Sequence, residues 1–162
     1  MPTAKRPRSF DVLTLLARDH ERIAELFGQL ERIAAPRAAT ADTLLEALRG
    51  ELTIHAAIEQ EILCPAFREA GRRRDDAALC HDAIEEHRVL DLLLPGLDAR
   101  QAGSPEFAAR ARTLRGVFRR HADAQEREMF RRIRALIARD ELGRLGQRML
   151  TRRSELAPPG GG

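Results

Sequence analysis

The chain has no tryptophan, no tyrosine and only six phenylalanines among its 162 residues. A core built almost without large aromatics has to come from Leu, Ile and Ala, a composition that suits helices rather than sheets. Lysine is nearly missing too, with Lys5 the only one. The positive charge is therefore arginine, interspersed with 25 acids, and the net charge is only +3. Without an aromatic platform beside them, the arginines do not read as a nucleic-acid surface, Arg72-Arg73-Arg74 included. Cysteine is limited to Cys64 and Cys80, too few for a disulfide framework, so a reducing, cytoplasmic setting is expected. Neither a leader peptide nor a spanning segment is read in the chain, and no membrane partner is expected.

What the chain has is helical periodicity. Residues 1–8 read as a disordered basic arm, residues 9–156 as one domain and residues 157–162 as a flexible tail. Ser9 is expected to cap a first helix reaching about Ala35, with Leu13, Leu16, Ile23, Phe27 and Leu30 in alternating three-and-four spacing. Pro36 stops it. A second helix is expected from Thr40 or Asp42, carrying Leu45, Leu48, Leu52, Ile58 and Ile62. Pro65 should bend or end it, and Gly71 closes the segment. A third should start near Asp75 or Asp76 and end by Gly103, kinked at Pro95. "SPEF" then supplies Ser104 as cap and Pro105 at the first helical position of a fourth helix. A short fifth is expected from about Asp140 to Leu156. The fold class is all-α, an up-down-up-down antiparallel four-helix bundle with a short fifth C-terminal helix.

Four of the five histidines fall where this pattern wants apolar residues. His20 lies between Leu16 and Ile23, His55 between Leu52 and Ile58, His87 between Ala83 and Leu90, and His121 follows Phe118. In an antiparallel pair, residues equidistant from the connection are level. The midpoint of His20 and His55 falls at Arg37-Ala38, that of His55 and His87 at Gly71, and that of His87 and His121 at Ser104. All three are expected connections, so the four imidazoles should share one layer. Charged imidazoles there would repel one another, whereas neutral ones aim acceptor nitrogens at one point, and a metal ion satisfies them.

Glu59 follows His55 by four residues and is turned from it by about 40°. It also occupies a seam position, and a lone buried carboxylate is costly without a cation. His55 and Glu59 are therefore expected as two ligands from one helix. The fourth helix reads "HADAQEREMF", with Gln125 at the matching offset from His121. Gln125 could bind through its amide oxygen or hold a water. Glu126 could swing in where the helix is bulged. Asp91, four after His87, is a further candidate, and Glu51, four before His55, is placed to hold a ligand histidine. His81 is turned away by about 120°. Cys64 lies half a turn from the ligand face, so neither a disulfide with Cys80 nor thiolate ligation is expected.

The pattern of His20, His55 with Glu59 running into "EILCP", "EEH" ending at His87, and His121 with acids beyond it resembles the hemerythrin-like HHE cation-binding domain. "RDHERI" and "LGQRML" resemble it too, and the likeness covers roughly residues 10 to 155. It implies a four-helix bundle with a non-haem di-iron centre held by histidines and carboxylates. Members bind oxygen, sense oxygen or iron, or respond to peroxide and nitric oxide. His20, His55, Glu59, His87 and His121 match ligand positions. Many members have Glu where this chain has Gln125, while the oxygen carriers use an acid at the place of Glu126. They also have a second histidine on the third helix, where this chain offers Ala83 or Asp91. Two irons are the expected cofactor, with one iron or zinc as the alternative. The expected role is binding or sensing a diatomic ligand, peroxide or iron rather than turnover. The competing readings are a peroxide-consuming or iron-centre repair enzyme and a metal-free interaction scaffold. No protein partner is specified.

Overall fold

The computed structural model describes residues 10–157, all helical or connecting, with no strand among them. Helix α1 spans Val12–Glu31, α2 Ala38–Ile58, α3 Cys64–Ala70, α4 Arg74–Leu93, α5 Pro105–Ala124, α6 Phe130–Leu136 and α7 Arg139–Leu156. A π-turn over Glu59–Leu63 joins α2 to α3, and a second over Gln125–Met129 joins α5 to α6. The result is five helical runs, two of them bulged. No helix among the described residues is long and apolar enough to cross a membrane.

The ends follow local chemistry. Asp11 caps α1, its Oδ1 accepting from the Thr14 N–H at 2.9 Å. Ser9, the residue expected there, lies outside the described residues, as do the 1–8 arm and residues 158–162. The helix stops at Glu31, four residues short of the expected Ala35. Ser104 caps α5 as expected, its Oγ accepting from Phe107 N–H at 3.1 Å. Gly103 just before it has φ 87°, and a Cβ there would come within 2.6 Å of the Ala35 carbonyl carbon, so only glycine fits this crossing of two connections.

Two prolines act differently from expectation. Pro65 neither ends nor breaks its helix, because it follows the π-turn, where Cys64 N–H already reaches back to the Glu59 carbonyl. Pro95 ends α4 rather than kinking it. The α-helix stops at Leu93, and two short 3₁₀ turns, Leu94–Gly96 and Ala99–Gln101, lead to Gly103.

Packing places α1 at the centre, against α5, α2 and α7, while α4 packs on α5 and α3. The apolar interior is split in two. One cluster holds Leu13, Leu16, Ile58, Ile62, Ala83 and Met129; the other holds Ile23, Phe27, Leu52, Leu90, Leu114 and Phe118. In each of four helical runs the switch from one cluster to the other falls near a histidine.

Candidate metal centre

His20, His55, His87 and His121 meet in the layer between the two apolar clusters, and all are buried. His55 is wholly enclosed and its ring centroid lies 5.0 Å from His20, 5.3 Å from His87 and 5.8 Å from His121. Glu59 enters the same layer, with Oε1 3.1 Å from His55 Nε2 and Oε2 3.3 Å from His87 Nε2. One ligand-type atom from each of His20, His55, Glu59 and His121 lies within 4.8 Å of all the others.

Gln125 completes the layer. Its amide donates to Glu59 Oε2 at 2.8 Å, and its Oε1 lies 3.1 Å from His20 Nε2. Glu126 does not enter. It is 44% exposed and meets the outer nitrogen of His20, Nδ1, at 2.7 Å. Glu86 does the same for His121, with Oε2 2.6 Å from Nδ1. Asp19 stands behind His55, its Oδ2 4.0 Å from Nδ1. Two acids thus hydrogen-bond the outer nitrogens of two histidines, the arrangement that orients imidazole ligands and fixes their tautomers, and Asp19 faces the outer nitrogen of a third without a hydrogen bond.

Asp91 lies on the exposed face of α4, outside the layer, and His81 is exposed as expected. Glu51 does not hold a histidine directly. It meets Arg153 at 2.9 Å and Arg22 at 3.1 Å, and those two arginines hold Asp19. Cys64 is buried in the apolar cluster that holds Leu13 and Leu16, both cysteines are free thiols, and the Cys80 thiol donates to the Cys64 carbonyl at 3.9 Å. Asp19, Glu86 and Arg153 are the residues that sequence reasoning missed. Asp19 had a signal: Val12, Leu16, Asp19 and Ile23 share one seam, and an acid there is out of place unless it has a partner.

Charge in the layer is set by burial and by Glu59. Burial opposes a charge on His55, but the Glu59 carboxylate, then Asp19, outweigh it and raise its pKa to about 9. Burial likewise works against Glu59, yet His55 and His87 hold it well below the usual carboxylate range. Burial lowers His87 to about 4 and also lowers His20. The layer by itself holds one ion pair, His55 with Glu59, beside the neutral imidazoles of His20 and His87.

That arrangement leaves acceptors facing acceptors. If the His20 Nδ1–H donates to Glu126, its Nε2 lone pair faces the Gln125 oxygen. If the His121 Nδ1–H donates to Glu86, its Nε2 lone pair faces His87 Nε2 at 3.2 Å, and one proton on His87 cannot serve both His121 and Glu59. Among the described residues, six buried side-chain atoms lack a well-angled hydrogen bond: Asp19 Oδ2, both nitrogens of His55, Glu59 Oε1, His87 Nδ1 and Arg153 Nη2. All belong to this layer or its backing. A cation suits a carboxylate oxygen and imidazole lone pairs converging in this way. A cleft of about 360 Å³ between α1 and α5, lined by His20, Phe118, Arg119 and Glu126, leads to the layer from outside.

Comparison with known proteins agrees with this geometry. A family model described as "Hemerythrin HHE cation binding domain" matches residues 11–133. A curated protein of Nostoc sp. named "DNA nickase" is 25% identical over 127 residues, which cover 78% of this chain and 34% of that protein. The chain thus spans about a third of that relative's length. No solved structure matches.

Proposed function

Because the chain belongs to the hemerythrin HHE cation-binding domain family, we propose that it is a non-haem iron-binding protein that binds or senses oxygen, nitric oxide, peroxide or iron. The observation that carries this reading is the gathering of unsatisfied buried nitrogen and oxygen atoms in one layer. His20, His55, Glu59, His87 and His121 would hold the metal. Bound iron would supply redox chemistry and a coordination position for a small ligand. Asp19, Glu86 and Glu126 orient the imidazoles from behind, Leu52, Ile58, Leu90 and Phe118 keep bulk water out, and the α1–α5 cleft offers a small ligand a way in. The same reading assigns α1, α2 with α3, α4, and α5 with α6 to an up-down-up-down antiparallel bundle, with α7 added to it. It also places the protein in the cytoplasm, where two buried free thiols persist.

The family resemblance implies two irons. Gln125 favours a second reading with one metal, because it occupies the place of a carboxylate and leaves Glu59, among the described residues, as the only acid inside the layer. The nickase name stays with the Nostoc protein, and no nucleic-acid step is part of this proposal.

The test is metal content by mass spectrometry, with optical spectra, on protein purified anaerobically with iron supplied. About two irons per chain supports the di-iron reading, and about one supports the reading based on Gln125. In the second case Gln125→Glu should raise the content toward two. No bound metal, together with unchanged stability of His55→Ala, would leave a metal-free scaffold. Catalytic consumption of peroxide, as opposed to stoichiometric binding, would move the assignment to an enzyme.

A further inference from the structure

Helix α7 lies beyond the residues that the family model matches, yet one of its side chains reaches the backing of the metal centre. Arg153 Nη2 comes within 2.6 Å of Asp19 Oδ2, a contact too oblique for a hydrogen bond, and its Nη1 donates to Glu51 Oε2 at 2.9 Å. Arg22 approaches from the other side, 2.5 Å from Asp19 Oδ1 and 3.1 Å from Glu51 Oε2. Two guanidiniums and two carboxylates form a closed square. Asp19 is its buried corner and the one that faces His55 Nδ1.

We propose that Arg153 is a positioning residue for the metal centre: by fixing Asp19 it sets the orientation of His55, and it makes the C-terminal helix a working part of the centre. This rests on the metal-binding reading above. An aspartate beside a histidine can turn about its own χ angles, and a single guanidinium on Oδ1 leaves Oδ2 free to rotate away. Arg153 takes Oδ2, and its fork is anchored by Glu51, so the carboxylate has one arrangement. Planar, two-armed bridging of this kind belongs to arginine; a lysine would keep the charge but could not span both acids. The docking of α7 is equally constrained. Gly146 lies so close to the Phe10 carbonyl and Val12 amide that a Cβ there would clash with backbone. The register that places Arg153 over Asp19 is therefore fixed by contact with the start of α1. Coupling should run both ways, so that metal bound to His55 steadies α7.

The experiment uses the whole chain and cobalt(II), whose d–d spectrum reports ligand geometry. Affinity and spectrum are compared for the natural protein, Arg153→Met, Arg153→Lys and Arg152→Met. Arg152 sits next door on α7 but pairs with Glu61 and Glu155 away from the square. Arg153→Met should weaken cobalt binding about ten- to a hundredfold and change the spectrum, as losing an outer partner of a ligand histidine does. Arg153→Lys should recover less than half of that loss, and Arg152→Met should match the natural protein. Amide exchange across α7 should slow on cobalt binding in the natural protein and not in Arg153→Met. If Arg153→Met does not fold, Arg153→Lys decides. Natural affinity and spectrum in a folded Arg153 variant overturns the inference while leaving the metal reading intact. Failure of the natural protein to bind cobalt or iron overturns both.

Discussion

His55 is the residue on which the protonation of the layer turns. In the metal-free chain its pKa is about 9, because Glu59 and Asp19 outweigh the cost of burying its charge. Glu59 stays ionised, being held far below the usual carboxylate range. A metal needs the neutral imidazole, so binding has to expel the His55 proton. Below pH 9 the metal-free chain carries that proton, and raising the pH removes it before the metal arrives. Affinity should therefore rise about tenfold per pH unit from about 6 toward 9, then level off, with about one proton released per metal at pH 7. Titration calorimetry of zinc(II) in buffers of different ionisation enthalpy measures the release directly. A flat affinity between pH 6 and 9 would count against this role for His55. The histidines themselves were legible in the sequence because each interrupts an apolar seam at the same distance from a connection. Their outer partners were less so. Glu126 read as an acid that could swing into the layer and Glu86 carried no signal, and only the folded layer shows which ring nitrogen each one meets.

At the scale of the element, the two π-turns explain most of what periodicity alone misplaced. Each absorbs about one extra residue relative to an α-helix, and they begin at Glu59 and Gln125, which hydrogen-bond to each other across the layer. Counting regular turns from His55 sends Cys64 half a turn away from the ligand face. With one residue absorbed, it turns back by about 100°, and it is buried. Helical seams are visible in a sequence; a bulge is not, because nothing in the apolar spacing marks which residue is the extra one. Pro65 follows from the same cause, since the bulge spares it the amide and the clearance that a regular helix would require. Removing the exposed Gln60 should restore regular turns and place Pro65 inside them, at a cost of about 3 kcal/mol. Pro65→Ala should then recover most of that loss, while Pro65→Ala alone should change little. Urea unfolding of the three variants tests this. Equal stability of the single deletion and the natural chain would show that the bulge does not accommodate the proline.

At the scale of the molecule, the described residues form two apolar clusters held apart by a polar layer. Such a layer is a poor source of stability, because it replaces apolar packing with buried groups that lack partners. Its retention across four helices makes sense if a ligand completes it. A ligand that binds only the folded chain stabilises it by about 4 kcal/mol at a thousandfold excess over its Kd. For a chain of this size that corresponds to a rise in Tm of roughly ten degrees. Iron(II) added without oxygen should give that rise, and a chelator should reverse it. Both clusters abut the layer, so they should melt together in the loaded protein. His55→Ala removes a ligand and strands the Glu59 carboxylate, so it should lower the metal-free melting point and also abolish most of the iron(II) shift measured from that lowered baseline. A Tm that does not respond to iron(II), in protein that melts cooperatively, would mean that the layer is satisfied in some other way and that the chain does not use it to hold metal.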